Sequence, residues 1–180
     1  QGRGGPIVLC WRPVAQLQGS AWAPYLEALD QLAASEDRRV LWLPFHQDQD
    51  QGLLGALHAE GLVPTRLMER SHELAVDDPA AALEQFAGAS LVLAMRLHGL
   101  ILAALAGAPC AALSYDPKVA AAATAIGCPL QVLGEGANPS LAALWESTLD
   151  CPPPSERVAW LRREALTHQH LLRRLLSPEG

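Results

Sequence analysis

Two short strings concentrate the groups able to handle anions and protons: Arg96-Leu97-His98 and Tyr115-Asp116-Pro117-Lys118. An arginine offers a planar fork that matches a carboxylate or a phosphate, and an imidazole offers a donor that can also move a proton near neutral pH. Arg96 and His98 stand where the apolar run Leu91 to Met95 turns directly into a second apolar pattern with helical spacing. The first N–H groups of such a helix have no internal partner, so the position is an anion site by geometry. The plainer reading is that Arg96 bridges to a neighbouring loop and His98 caps. Asp116-Pro117 has the composition of a helix start, because aspartate accepts from free N–H groups and proline suits the first turn. Asp116 is therefore an N-cap or a ligand contact. Lys118 falls in the first turn of the same helix, where the macrodipole disfavours a cation, which points to a ligand-facing role.

Two more stations follow apolar runs. Arg12 comes directly after Ile7 to Trp11, and His46, Asp48 and Asp50 come after Val40 to Phe45. A carboxylate–histidine pair such as Asp50 with His46 can orient or deprotonate a hydroxyl. The alternative is a polar loop in which Asp50 caps the next helix. His58 and His72 are lone side chains and receive no role. His168 and His170 are two apart on an expected helix, where side chains diverge, so no metal site is expected. There is no GxxxxGK[ST] loop, no GxGxxG after the first strand and no GxSxG elbow.

The elements that must position these groups alternate along the chain. Strands are expected at Ile7 to Trp11, Val40 to Phe45, more weakly Arg66 to Glu69, then Leu91 to Met95, Cys110 to Ser114 and Leu130 to Leu133. Helices are expected at Pro24 to Ala34, Gln51 to Glu60, Pro79 to Ala87, Leu97 to Ala106 and Lys118 to Ile126. Fully apolar strands separated by helices mean a parallel sheet covered on both faces, an α/β Rossmann-like fold. In such a sheet ligands bind beyond the carboxyl ends of the strands, where all four polar stations fall. This reading gives residues 1–150 as one Rossmann-like domain. Cys151 to Pro154 is a proline-rich break, and Ser155 to Leu176 is a C-terminal helix with Val158, Leu161, Ala165, Leu172 and Leu175 on its apolar side.

Composition narrows the class. The chain has 180 residues, half of them hydrophobic, with few aromatics and much alanine, which suits helices packed over a sheet. A formal net charge of -6 gives no basic field for a nucleic-acid backbone. Four dispersed cysteines form no CxxC pair, so buried, reduced thiols in a cytoplasmic protein are expected rather than zinc or a disulfide scaffold. The longest uncharged stretch, Gly99 to Tyr115, contains Gly107 and Pro109 and is shorter than the ~20 residues of a membrane helix. A start at Gln1 with glycines suggests a piece of a longer protein.

The string Leu93-Ala94-Met95-Arg96-Leu97-His98-Gly99-Leu100, followed by Leu113-Ser114-Tyr115-Asp116-Pro117-Lys118-Val119, resembles the polysaccharide pyruvyl transferase family, particularly its CsaB-like bacterial branch. Arg12 and Leu43-Pro44-Phe45-His46 with Asp50 match that family in order and approximate spacing. The resemblance implies a two-domain glycosyltransferase-B-like fold, of which this chain is the carboxyl-terminal, donor-binding half. It implies transfer of the pyruvyl unit of phosphoenolpyruvate onto sugar hydroxyls as a ketal, in cell-wall or exopolysaccharide assembly.

Phosphoenolpyruvate is then donor substrate, with no further cofactor and no metal. The implied donor contacts are Arg96, Leu97 and His98, with Arg12 as a second. Tyr115, Asp116 and Lys118 complete the expected substrate-binding set. His98 is the expected proton donor to the methylene carbon or the leaving phosphate, with Asp50 or His46 as the base. The implied partners are a saccharide acceptor, lipid-linked in that branch, and an amino-terminal domain of the same protein. The implied location is cytoplasmic, at the inner face of the membrane. Two alternatives stand beside this reading: the nucleotide-sugar half of an ordinary glycosyltransferase, and a donor-binding module inactive on its own.

Overall fold

The structure, a computed structural model, describes residues 4–76 and 78–164. Six strands alternate with helices. In chain order they are β1 (Ile7–Cys10), α1 (Ala23–Ser35), β2 (Val40–Trp42), α2 (Gln47–Asp50), α3 (Leu53–Ala59), α4 (Thr65–Arg70), β3 (Ser71–Glu73), α5 (Pro79–Ala87), β4 (Leu91–Ala94), α6 (Leu97–Leu105), β5 (Cys110–Ser114), α7 (Pro117–Ile126), β6 (Leu130–Val132) and α8 (Leu141–Thr148), with a 3-10 turn at Gly19–Trp22. Among the described residues the strands of the sheet all pair in parallel, in the order β3-β2-β1-β4-β5-β6, a doubly wound Rossmann-like sheet. The winding reverses between β1 and β4, so the crevice at the carboxyl ends of these two strands is the place the topology opens for a ligand.

The strands are apolar on both sides because helices cover both faces. Successive residues alternate between two cores: Ile7, Leu9 and Trp11 enter one with Leu91, Leu93 and Met95, and Val8 and Cys10 enter the other with Val92 and Ala94. The first face is closed by α1, α4 and α8, where Trp145 is 1% exposed, and by Trp11 stacked on Trp22 at 5.8 Å and edge-on to Trp42 at 5.6 Å. The second is closed by α5, α6 and α7.

Two expectations need correction. Residues 65–70, expected as strand near Arg66 to Glu69, are helix α4, with Leu67 buried; the strand follows at β3. The expected helix from Gln51 to Glu60 starts only at Leu53, as α3, after Gly52 in the left-handed conformation at φ 80°, and a separate short helix, α2, precedes that glycine. Helix α8, and the 3-10 turn before α1, were not expected. Residues 151–154 form the proline-rich break and residues 155–164 are helical, with Val158 buried, Leu161 packed on the second core and Arg162 Nη2 donating to Leu105 O at 3.0 Å. The remainder of the expected C-terminal helix, including Ala165, Leu172 and Leu175, lies outside the described residues, as do His168 and His170.

Candidate functional site

The β4–α6 junction is abrupt: Arg96 is still extended, with φ -92° and ψ 127°, and Leu97 begins the helix. No side chain caps α6, and the N–H groups of Leu97, His98 and Gly99 have no partner among the described residues. Gly99 lets this helix start press against β1. A Cβ there would meet Cys10 Cβ at 3.0 Å and Cys10 Sγ at 3.1 Å. The free N–H groups thus sit directly over the switch point.

Arg96 does not hang free. Its Nε donates to Asp50 Oδ2 at 3.0 Å, its Nη2 reaches Asp50 Oδ1 in a short contact, and Nη2 also donates to Gln49 Oε1 at 3.1 Å. Asp50 Oδ2 further accepts the N–H groups of Phe45 at 3.2 Å and His46 at 2.9 Å. The Asp50 side chain is 0% exposed and that of Arg96 13%. This bidentate pair reaches from the loop after β2 to the loop after β4, across the end of β1 that lies between them. A buried carboxylate held by a guanidinium and two N–H groups has its lone pairs satisfied and has no opening to a substrate. Asp50 therefore fixes Arg96 and does not present the open carboxylate expected of a base. The plainer expectation for Arg96, a bridge to a neighbouring loop, describes its Nε–Nη2 edge. Its Nη1 has no partner among the described residues.

A cleft of about 600 Å³ opens beside this pair. Arg96, Leu97, His98, Tyr115, Asp116, Lys118 and His46 all line it, with a floor that includes Phe45, Ile101, Leu102 and Val119. Asp116 is the N-cap of α7, accepting from Lys118 N at 2.7 Å, and Ser114 Oγ donates to Asp116 O at 2.8 Å. The capping reading of Asp116 is thus realised in a residue that also faces the cleft. Lys118 and His98 are exposed there. Arg12 does not line the cleft itself: its Nη1 donates to the Tyr115 hydroxyl at 3.2 Å, and its guanidinium lies 5.6 Å from the Tyr115 ring centroid.

Sequence reasoning missed three contributors. Gln49 was only part of a polar loop, Phe45 only the end of an apolar run, and Gly99 only part of a string. Phe45 stacks on Phe86 at 6.2 Å, which holds the loop after β2 against α5. The glycine was findable, since an abrupt strand-to-helix turn beside another strand favours a residue without Cβ. Cys10, against the same turn, has its thiol pushed well above the ordinary value by burial and then by the Asp50 charge, so it stays protonated. Among the described residues no three His, Cys, Asp or Glu side chains gather as a metal site, and no helix is long and apolar enough to cross a membrane.

Comparison with known proteins gives a family and a fold. The family model for polysaccharide pyruvyl transferase matches residues 17–117, which holds Asp50, Arg96, His98 and Asp116 and leaves Arg12 and Lys118 outside. No curated protein sequence matches the chain. Among solved structures, an O-GlcNAc transferase mutant of Thermobaculum terrenum is similar in fold, with a TM-score of 0.50 at 16% identity over 89% of this chain. The chain spans 31% of the length of that structure. With more than half of its residues matched, the chain belongs to the polysaccharide pyruvyl transferase family.

Proposed function

We propose, from the chain's membership in the polysaccharide pyruvyl transferase family, that it is the donor-binding half of an enzyme that moves the pyruvyl unit of phosphoenolpyruvate onto a saccharide. The observation that carries this reading is the convergence in one cleft of a fixed guanidinium, an uncapped helix start, His98 and Lys118. Phosphoenolpyruvate carries a phosphate and a carboxylate on three carbons, so its site must aim several cationic or N–H donors at a small volume. Arg96 Nη1, the first N–H groups of α6 and Lys118 supply them. Arg12 orders Tyr115 at the rim.

In the reaction a proton adds to the methylene carbon, and a sugar hydroxyl oxygen bonds to the adjacent carbon. The bond from that carbon to the phosphate oxygen breaks, and a second hydroxyl of the sugar closes the ketal. Of the two hydroxyl protons lost, one is balanced by the new methyl group and the other leaves with inorganic phosphate. His98, exposed in the cleft at the helix start, is the group placed to deliver the proton to carbon. With Asp50 closed off by its partners, His46 is the base this chain offers. The acceptor side of the site falls to a second domain of a glycosyltransferase-B-like pair, and the acceptor is a lipid-linked saccharide at the cytoplasmic membrane face, as in the CsaB-like branch.

Calorimetry with phosphoenolpyruvate on this chain, beside a uridine diphosphate sugar as competitor class, tests the donor assignment. Saturable binding of phosphoenolpyruvate alone is expected; binding of the nucleotide sugar with no response to phosphoenolpyruvate overturns it. In the complete enzyme His98→Ala should lower turnover by about 10²-fold or more with little change in donor affinity. An unaltered turnover number removes His98 from the chemistry.

A further inference from the structure

At the amino ends of β5 and β6, the end of the sheet opposite the cleft, three of the four cysteines line one cavity. Cys110, Cys128 and Cys151 share this space of about 280 Å³, closed by Pro129 and the proline run Pro152 to Pro154. Cys110 opens β5, and Cys128 stands two residues before β6. The parallel register pairs Ala112 with Leu130, and Ala112 N donates to Pro129 O at 2.8 Å. Two residues back on both chains, Cys110 faces Cys128 directly. Neighbouring strands lie about 4.8 Å apart, and opposite residues of a parallel pair point to the same face. Both side chains belong to the core under α7, as that pairing requires. A spacing of that size lies within the range a disulfide spans.

The two thiols also polarise each other. A hydrogen bond from Cys110 lowers the Cys128 thiol below its ordinary value against the opposing effect of burial, while the same contact, then burial, raises Cys110. Cys128 is half-buried and Cys151, on the same cavity, is exposed, so a small reagent has a way in.

We propose that Cys110 and Cys128 are a reversible disulfide site, oxidised by exchange with a small disulfide such as oxidised glutathione. The Cys128 thiolate attacks one sulfur of the reagent, breaking its S–S bond and releasing one small thiol. Once Cys128 is in the mixed disulfide its thiolate no longer raises Cys110, which gives its proton to solvent, attacks the Cys128 sulfur and displaces the second small thiol. Two protein thiols lose two electrons, and the reagent leaves as two thiols carrying the two protons. The bond ties β6, a three-residue strand at the sheet edge, to β5 and closes α7 into a loop. It leaves the carboxyl ends of the strands untouched.

The test exposes the full chain, and separately Cys151→Ser, to oxidised glutathione at pH 8, quenches with acid, denatures, alkylates the remaining thiols and maps the unreduced digest by mass spectrometry. A Cys110–Cys128 linkage in both proteins is expected, with a raised denaturant midpoint that dithiothreitol returns to its starting value. In Cys110→Ser the reaction should stop at one glutathione on Cys128. Alkylation of both Cys110 and Cys128 in the treated chain overturns the proposal, and so does a Cys128–Cys151 linkage in their place.

Discussion

Arg96 and Arg12 leave adjacent parallel strands at the same level of the sheet and end in opposite states. Arg96 is locked along one edge by a buried carboxylate that two backbone N–H groups also hold. Arg12 is half-exposed and rests on the face and hydroxyl of a tyrosine, a contact held by dispersion and a cation–π attraction of about 0.5–1 kcal/mol. The difference follows from what surrounds each strand end. The end of β4 lies near a loop whose short helix α2 terminates in Asp50, whereas β1 runs out into Pro13 and an exposed turn. A fixed cation beside a helix start is preorganised for a charged ligand, and a mobile-stemmed one at the rim adapts to it.

The comparison breaks most visibly at Asp50. Asp50→Ala leaves a partly buried guanidinium and two N–H groups without their acceptor, so unfolding free energy should fall by about 1–3 kcal/mol, read from a denaturant titration. A fall under 1 kcal/mol would place Arg96 among the ordinary surface cations. Gly99→Ala tests the approach of α6 to β1. Overpacking against Cys10 costs about 1–3 kcal/mol while alanine returns about 1 kcal/mol of helix propensity, for a net loss near 1 kcal/mol with weakened donor binding.

Arg12→Ala sits at the other extreme. It should change stability by about 0.5 kcal/mol or less and reduce donor affinity only a few-fold by calorimetry. A stability loss as large as that expected for Asp50→Ala would erase the contrast. The smallest expected signal is at Cys10. With its thiol held protonated by burial and by Asp50, it should resist iodoacetamide in the native chain at pH 8, where exposed Cys151 is consumed, and become reactive only on unfolding.

Much of this was readable in the residues because apolar runs end sharply. Leu91 to Met95 and the pattern from Leu97 onward located β4, α6 and the turn between them almost to the residue, and Asp116-Pro117 announced its own helix start. Strand β3 was misplaced because Ser71-His72-Glu73 is a half-exposed edge with no apolar run, while Leu67 and Met68 beside it belong to a helix. Helix α8 was missed although Leu141 and Trp145 bury its face against α1. Its cap, Ser140, makes no side-chain bond, and its sequence carries little polar contrast. The Asp50–Arg96 pair was beyond reach for a different reason. Its partners lie 46 residues apart and meet only because β1 inserts between β2 and β4, a fact of strand order that no local pattern encodes.

A crystal structure of the chain soaked with phosphoenolpyruvate measures the central claim most directly. An anionic oxygen of the donor is expected on Arg96 Nη1 and on the first N–H groups of α6, with the Asp50 pair intact behind it. Donor density elsewhere on the sheet, or Arg96 swung off Asp50 to reach it, would contradict the claim that Asp50 sets this guanidinium in place for its ligand.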